Sequence, residues 1–295
     1  MKRLTLAFGC LLAIAPVLMA SETETAIVAG DVALIQDGFR FTEGPVWHPD
    51  GFLLFSDIPA NTIYRWSAED GVSVFREDSG KSNGLTYDRE GRLLAGEHWN
   101  RRVSRTEPSG EIITIAETYE GKQLNSPNDL VVRSDGLIFF TDPPYGLEGR
   151  EADLDFQGVY HVRPGEEPVL LIDDFERPNG IGLSPDESRL YVADTTQHHL
   201  RAFDLDEAGM ISNGEVLAEM ENPDGLKVDT EGRIYVTSHE GVVVLAPNGE
   251  RITVIEVPQA PANCAFGGEN NQTLFVTARS GLYRVPLHAE GLPLW

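Results

Sequence analysis

The stretch NDLVVRSDGLIFFTD, residues 128–142, contains the pattern that decides the fold. A short apolar segment, LVV, is followed by a turn with Asp135 and Gly136 and then by a second apolar segment, LIFFT. An Asp-Gly pair between two short, β-prone segments predicts a tight hairpin. The stretch therefore predicts two antiparallel strands, with the polar Asn128 at the start of the first strand.

Five other segments repeat this pattern. The lead residues of all six segments, in chain order, are Glu43, Asn83, Asn128, Asn179, Asp224 and Asn263. They are separated by 40, 45, 51, 45 and 39 residues, and two further strand-like segments follow each hairpin, as in residues 62–66 and 72–75. A period of roughly 40–50 residues built from short strands is typical of a propeller. We therefore predict an all-β, six-bladed β-propeller.

The sixth repeat offers three strands where the other repeats offer four. The segment VALI, residues 32–35, precedes the first repeat and has no partner there. We expect this N-terminal strand to complete the last blade and close the ring, because closure removes the exposed edges of an open sheet.

The repeats also predict where the functional side chains meet. The first strand of each blade should line the axis, so the lead residues should converge at one mouth of the channel. The second strand runs back to the same mouth, and its end brings further polar residues there: Asp57, Glu97, His98, Asp142, Asp194, His239 and Arg279. The loop of residues 143–157, which carries Tyr145, follows at this mouth and is positioned to act as a lid.

The lead residues share one chemical property, a side-chain oxygen, and none is His or Cys. Oxygen ligands suit a hard cation, and Ca²⁺ tolerates irregular geometry better than Mg²⁺. The absence of Cys and His argues against zinc. An Asn or Asp before Gly is also a common turn signal, so a single repeat carries no weight. Six donors at one register favour a metal site with Ca²⁺, with Mg²⁺, Mn²⁺ and Zn²⁺ as alternatives.

Five motifs resemble the gluconolactonase family, which includes regucalcin (senescence marker protein). They are FTEGPVW at 41–47, NSPNDLV at 125–131, TDPPYG at 141–146, RPNGIGLS at 177–184 and NPDGL at 222–226. The motifs occur in order and are specific as a set. The resemblance implies a calcium-dependent six-bladed propeller that opens lactone rings.

The resemblance also implies roles for individual residues. Glu43, Asn179 and Asp224 match metal ligands of the family, and Asn128 matches a residue at the metal and the substrate. Asp224 matches the usual general acid and base. The chain departs from the regucalcin branch at Ser126, where that branch has a substrate-contacting Arg two residues before the Asn128 position. Sugar-lactone recognition of the regucalcin type is therefore not implied.

The expected function is hydrolysis of a lactone to a hydroxy acid. The ion would polarise the carbonyl group while Asp224 takes a proton from the attacking water. Phosphotriester hydrolysis at the same ion and a non-catalytic ligand-binding propeller with a structural calcium ion are the alternatives. Substrate contacts are expected from Asn83, His98, Asn128, Tyr145, His239 and Asn263. Solvated or hydrogen-bonded roles for His98 and His239, and a packing role for Tyr145, compete with this interpretation.

Charge and the N-terminal sequence limit the partners and the compartment. A net charge of −24 argues against nucleic acid, whose phosphates require clustered Lys and Arg. Lys2 and Arg3, the apolar run of residues 4–19 and Ala20 are typical of a secretory signal peptide over residues 1–20. We expect cleavage, no stable membrane association afterwards, and an exported protein, periplasmic or secreted, with one propeller domain over residues 21–295. Cys264 alone would remain, so no intramolecular disulfide is expected.

Overall fold

The computed structural model describes residues 27–293, so the predicted signal peptide lies outside the described residues. Six four-stranded sheets, each with neighbouring strands antiparallel, are arranged as a six-bladed β-propeller. The fold predicted from the repeats is confirmed.

Each blade begins with the strand nearest the axis. The first strand of the chain is β1 (Ala33–Gln36). Blade 1 contains β2 (Thr42–His48), β3 (Phe52–Asp57), β4 (Thr62–Ser67) and β5 (Gly71–Glu77). Blade 2 contains β6 (Ser82–Tyr87), β7 (Leu93–Glu97), β8 (Arg102–Thr106) and β9 (Ile112–Ala116). A small hairpin of β10 (Thr118–Tyr119) and β11 (Lys122–Gln123) follows blade 2.

The second half of the ring continues in the same order. Blade 3 contains β12 (Leu130–Val132), β13 (Ile138–Asp142), β14 (Gln157–Val162) and β15 (Val169–Phe175). Blade 4 contains β16 (Pro178–Leu183), β17 (Arg189–Asp194), β18 (His199–Leu205) and β19 (Ile211–Glu219). Blade 5 contains β20 (Leu226–Val228), β21 (Ile234–Ser238), β22 (Gly241–Leu245) and β23 (Arg251–Ile255). Blade 6 contains β24 (Pro261–Gly267), β25 (Thr273–Ala278), β26 (Gly281–Pro286) and β1.

The ring is closed by β1, which forms the outer strand of blade 6. It pairs antiparallel with β26, and Leu34 lies opposite Tyr283. The closing strand predicted from residues 32–35 is therefore confirmed. Two 3₁₀ helices, η1 (Tyr145–Leu147) and η2 (Glu269–Asn271), lie in loops. Within residues 27–293 no helix has the length and apolar character needed to cross a membrane.

The hydrophobic core lies between neighbouring blades. Leu94 and Val103 of blade 2, for example, belong to one buried cluster with Leu130, Phe140 and Tyr160 of blade 3. Every residue of β13 is buried, because neighbouring blades cover both faces of this strand. This explains why the segment LIFFT is continuously apolar and does not alternate with polar residues.

Hydrogen bonds between blades surround the axis. Three second strands each donate a side-chain hydroxyl to a backbone carbonyl at the start of the next blade: Ser56 to Asn83 (2.8 Å), Thr141 to Asn179 (2.8 Å) and Thr237 to Ala262 (2.8 Å). The backbone N–H of Gly84 donates to Asn128 (2.8 Å), and that of Gly180 donates to Asp224 (3.0 Å). The backbones of the lead residues are thus held by the neighbouring blades.

Candidate metal and active site

A cavity of about 510 Å³ lies at one mouth of the ring. Five of the six lead residues line it: Glu43, Asn83, Asn128, Asn179 and Asp224. His98, Tyr145 and His239, which the sequence also placed at this mouth, line the same cavity. The structure therefore brings these eight candidate residues to one place.

The first strands explain this convergence. Glu43, Asn83 and Asn179 lie within β2, β6 and β16. Asn128 and Asp224 precede β12 and β20, yet their backbones still follow the strand ladder. The N–H of Asn128 donates to the carbonyl of Thr141 (2.8 Å), and the N–H of Asp224 donates to that of Thr237 (2.8 Å).

Three buried side-chain oxygens of the lead residues lack hydrogen-bond partners among residues 27–293. They are Oδ1 of Asn83, Oδ1 of Asn128 and Oδ1 of Asp224. A buried polar atom without a partner costs about 1–3 kcal/mol, and such atoms are uncommon in folded proteins. A cation with oxygen ligands would satisfy acceptors of this kind. The donor set therefore fits a hard divalent cation.

Electrostatics at the lead residues lead to the same conclusion. Burial raises the pKa of Glu43 to about 7, against the opposing effect of the Gly44 N–H that its carboxylate accepts (2.8 Å). Burial also raises the pKa of Asp224 well above its usual value, and the nearby charges of Glu43 and Asp129 add to the shift. A positive ion would counteract both burial and this repulsion.

Hydrogen bonds orient the two amides of blades 3 and 4. Nδ2 of Asn128 donates to Oδ1 of Asn179 (2.8 Å), and Nδ2 of Asn179 donates to Oγ1 of Thr195 (3.0 Å). The Thr195 hydroxyl in turn donates to the carbonyl of Pro223 (2.8 Å). Oδ1 of Asn128 is left without a partner, and Oδ1 of Asn179 retains a second lone pair. Both amides can therefore offer oxygen to an ion.

Amide oxygens are needed to complete any metal site here. Within residues 27–293 there is no group of three or more His, Cys, Asp or Glu side chains that could hold an ion. Glu43 and Asp224 are the carboxylates that line the cavity. A site built from them requires the Asn side chains as further ligands, as the resemblance implied.

The histidines and the tyrosine differ in their surroundings. His98 is buried, and burial lowers its pKa to about 4, so its ring is neutral at pH 7. Its Nε2 lies 3.3 Å from Nδ2 of Asn83. His239 is exposed, and 37% of the Tyr145 surface is exposed. Tyr145 and His239 therefore form the rim of the cavity, whereas His98 lies in its wall.

The loop of residues 143–157 is anchored beside the cavity. The hydroxyl of Ser126 donates to the carbonyl of Pro143 and accepts from the N–H of Gly146 (2.9 Å). These two bonds fix the residues on either side of Tyr145. Ser126 thus supports the loop that carries Tyr145.

Asn263 is the candidate residue that the structure does not bring to the cavity lining. It is buried, and its Oδ1 accepts from the N–H of Cys264 (2.8 Å). Its Nδ2 lies 3.4 Å from Oδ2 of Asp129, which in turn lies 4.0 Å from Nζ of Lys227. Its polar atoms are therefore occupied within the protein.

Three acidic residues that the sequence placed at the mouth hold the chain that enters blades 1, 3 and 4. Asp142 accepts from the N–H groups of Asn125 and Ser126 (both 2.7 Å). Asp57 accepts in the same way from Arg40 and Phe41, and Asp194 from Glu176 and Arg177. None of these three acidic residues lines the cavity. They position the lead residues by fixing the backbone two and three residues earlier.

Sequence reasoning missed Arg177 and Thr195, which both line the cavity. Arg177 lies two residues before the lead residue Asn179, at the repeat position that Ser126 occupies before Asn128. A comparison of the repeats at this earlier position would have revealed an arginine at the mouth.

A closed six-bladed propeller with unpaired carboxylate and amide oxygens around one cavity defines a class of divalent-metal-binding propellers. The sequence model of a protein family, described as the SMP-30/Gluconolactonase/LRE-like region, matches residues 41–280. The chain therefore belongs to this family.

Known relatives agree with this assignment. The gluconolactonase of Zymomonas mobilis is 33% identical over 291 residues, covering 88% of this chain and 82% of the relative. The solved structure of a gluconolactonase from Xanthomonas campestris is 32% identical, with a TM-score of 0.85, covering 91% of this chain and 93% of that one. A calcium-binding protein, regucalcin from Agrobacterium tumefaciens, is 22% identical, with a TM-score of 0.77, covering 90% and 96%. This last likeness shows the fold alone.

Proposed function

We propose that this protein is a lactonase that depends on a divalent cation, with Ca²⁺ as the ion. The observation that carries the proposal is the convergence of unpaired buried oxygens from Asn83, Asn128 and Asp224 on one cavity. Membership of the family and the gluconolactonases among its relatives support lactone hydrolysis. The all-oxygen donor set, in which amides accompany two carboxylates, supports Ca²⁺ as the ion.

The residues that would hold the ion are Glu43, Asn128, Asn179 and Asp224. When bound, the ion supplies positive charge that polarises the lactone carbonyl and stabilises negative charge on its oxygen. Six to eight oxygens surround Ca²⁺ in proteins, so four protein ligands leave places for substrate and water.

Asp224 would take the proton from the attacking water. Its Oδ1 is unpaired and the residue lines the cavity, so the carboxylate is available to accept the proton. The neutral His98 ring contacts the Asn83 amide and so helps to orient it. Tyr145 and His239 at the rim would contact the body of the lactone.

The test is hydrolysis of a panel of aldonolactones, simple lactones and phosphotriesters, with and without a chelator. We expect lactone hydrolysis that the chelator abolishes and that added Ca²⁺ restores. Lactone hydrolysis that persists after complete metal removal would contradict the metal dependence. Hydrolysis of phosphotriesters alone would replace the lactonase assignment.

Asp224→Asn tests the general base directly. We expect kcat/KM to fall about 10²–10⁴-fold, with an unchanged circular dichroism spectrum, because the amide cannot accept the proton. Glu166→Gln is the matched control, since Glu166 is exposed and does not line the cavity. An Asp224→Asn variant with full activity would exclude this role.

Export of the protein is a separate proposal. It is supported by Lys2, Arg3 and the apolar run that follows them. N-terminal sequencing of protein recovered from the periplasm or the medium tests it. A new N-terminus near residue 21 is expected, and an uncleaved protein retained in the cytoplasm would overturn the proposal.

A further inference from the structure

Two arginines, Arg177 and Arg279, line the cavity beside the candidate metal ligands. Within residues 27–293 neither guanidinium group has a hydrogen-bond or ion-pair partner. The chain has 47 acidic residues against 23 Lys and Arg, so carboxylates are abundant partners elsewhere on the surface. Unpaired arginines at the cavity are therefore available to a ligand.

Aromatic rings position both side chains. Cζ of Arg177 lies 5.4 Å from the ring centroid of Tyr145, and Cζ of Arg279 lies 5.4 Å from that of Phe41. Both rings also line the cavity. Stacking on an aromatic face limits the motion of a guanidinium group and leaves its N–H edge free for an anion.

The backbone also fixes both arginines. The N–H of Arg177 donates to Oδ1 of Asp194 (3.2 Å). Arg279 lies in the loop between β25 and β26 with a φ of 49°, a left-handed conformation that Arg seldom adopts. Its carbonyl accepts from the N–H of Thr42 in blade 1 (2.8 Å). The same conformation recurs at Asn61, Arg101 and His198 in the corresponding loops of blades 1, 2 and 4, so it belongs to the turn that holds Arg279.

Both arginines line the same cavity at the mouth. Arg177 leads into blade 4, whereas Arg279 lies in the β25–β26 loop of blade 6, and its carbonyl is bonded to the start of blade 1. A divalent cation would balance Glu43 and Asp224, the two carboxylates of the lining. The two guanidinium groups then remain without a hydrogen-bonded or ion-paired carboxylate among residues 27–293.

We propose that the substrate is a lactone carrying an anionic group, a carboxylate or a phosphate, which Arg177 and Arg279 bind while the ring carbonyl lies at the metal site. This inference deepens the proposed lactonase function and rests on it. Guanidinium groups bind both kinds of anion through paired hydrogen bonds, so the structure defines the shared chemistry.

The test compares three matched lactones: glucono-1,5-lactone, the corresponding lactone with a carboxylate at C6, and the corresponding lactone with a phosphate at C6. For the calcium-loaded protein we expect kcat/KM to be at least about tenfold higher for one anionic lactone than for the neutral one. The anionic lactone with the higher kcat/KM shows whether the site prefers a carboxylate or a phosphate. A preference for the neutral lactone would overturn the proposal.

Arginine variants separate anion binding from general damage. Arg177→Gln and Arg279→Gln should each lower kcat/KM for the preferred anionic lactone about 10- to 100-fold, a loss at least about tenfold larger than the loss on the neutral lactone. Arg284→Gln is the control, because Arg284 is exposed and lies outside the cavity lining. Equal losses on charged and neutral lactones would overturn the proposal.

A binding measurement separates failure of this inference from failure of the lactonase function. Calorimetry with the ring-opened dicarboxylate and with the ring-opened phosphate measures anion binding without turnover. Binding that both arginine variants weaken supports the anion site even if no lactone is hydrolysed. Binding that the variants leave unchanged overturns the anion site even if lactones are hydrolysed.

Discussion

At the residue scale, the glycine that follows a lead residue is required by space. Neither Gly84 nor Gly180 has a positive φ, so neither is needed for a left-handed turn. A Cβ on Gly84 would lie 2.5 Å from the carbonyl oxygen of Asn128, and one on Gly180 would lie 2.3 Å from that of Asp224. The interpretation of Asn-Gly as a simple turn signal is wrong at both positions. The small residue allows the backbones of adjacent blades to meet at the axis.

Gly180→Ala tests this requirement. The added methyl group would force the carbonyl of Asp224 away, so we expect the free energy of unfolding to fall by about 3 kcal/mol. Urea denaturation measures the change. Gly149→Ala is the control for backbone conformation alone, since Gly149 has a φ of 86° and open space around it. That variant should lose about 1 kcal/mol, and equal losses in the two variants would contradict the spatial argument.

Whether a site residue could be predicted from the sequence depends on whether its type recurs at the same position of the repeats. Asn128 and Asp224 were found because the same type of residue occupies the same position in every repeat. Arg177 was missed because its position holds Ser126 in the preceding blade, so no pattern marked it. Asn263 follows the pattern, but its amide is occupied by Cys264 and Asp129, a contact between distant segments that no single repeat reveals.

At the element scale, the loop of residues 143–157 depends on one hydroxyl group. Ser126 bonds both Pro143 and Gly146, which flank Tyr145. We expect Ser126→Ala to raise KM for the lactone several-fold and to lower the free energy of unfolding by about 1–2 kcal/mol, because Tyr145 loses its support. Ser73→Ala on the exposed surface of β5 is the control. An unchanged KM would show that the loop holds Tyr145 without this anchor.

The closing strand β1 stabilises the ring chiefly through its backbone. Most of its side chains are exposed, and 54% of the Leu34 surface is accessible. Proline at both Ala33 and Leu34 removes two N–H groups from the strand, so we expect a lower melting temperature and faster aggregation through the freed edge of β26. Leu34→Ser keeps the backbone and should have little effect. Thermal unfolding with light scattering measures both properties.

The elements themselves were largely predictable from the sequence. Asp-Gly turns and short apolar segments marked the hairpins, and VALI had no partner outside the last blade. The hairpin of β10 and β11 was not anticipated, because its strands have two residues each and leave no periodic pattern. The backbone contacts of Asp57 and Asp142, which keep both side chains out of the cavity lining, also escaped prediction, since the sequence gives the end of a strand without the direction of its side chain.

At the scale of the whole molecule, burial of His161 couples stability to pH. Burial lowers the pKa of His161, and both ring nitrogens lack hydrogen-bond partners among the described residues. Above the unfolded pKa of about 6.5 the histidine is neutral in both states, and as the pH falls below that value the unfolded chain binds a proton that the fold resists, so the free energy of unfolding falls. Carboxylates with raised pKa, such as Glu43, act in the opposite sense. The pH dependence due to His161 must therefore be measured as the difference in the free energy of unfolding between the parent protein and a variant that lacks this histidine.

His161→Leu makes that difference measurable. At pH 7.5 we expect the variant to lie within about 1.5 kcal/mol of the parent protein, because Leu has a similar size and the His161 ring makes no hydrogen bond among residues 27–293 that would be lost. As the pH falls from 7 to 5, the variant should become progressively more stable relative to the parent. Urea denaturation at each pH gives the comparison. A constant difference across this range would show that His161 does not titrate on unfolding.

The position two residues before each lead residue has a geometric consequence. Blade 2 has Lys81 there, paired with Glu148, blade 3 has Ser126 and blade 4 has Arg177. Equivalent positions in different blades are related by rotation about the axis, and of these three residues Arg177 lines the cavity. In a propeller, the blade that carries a charged side chain can thus change without any change in the residues at the centre. A substrate could therefore take different orientations about the axis while its reactive bond stays at the central site. Moving one charged side chain to another blade would change which substrates bind and would leave the catalytic residues unchanged.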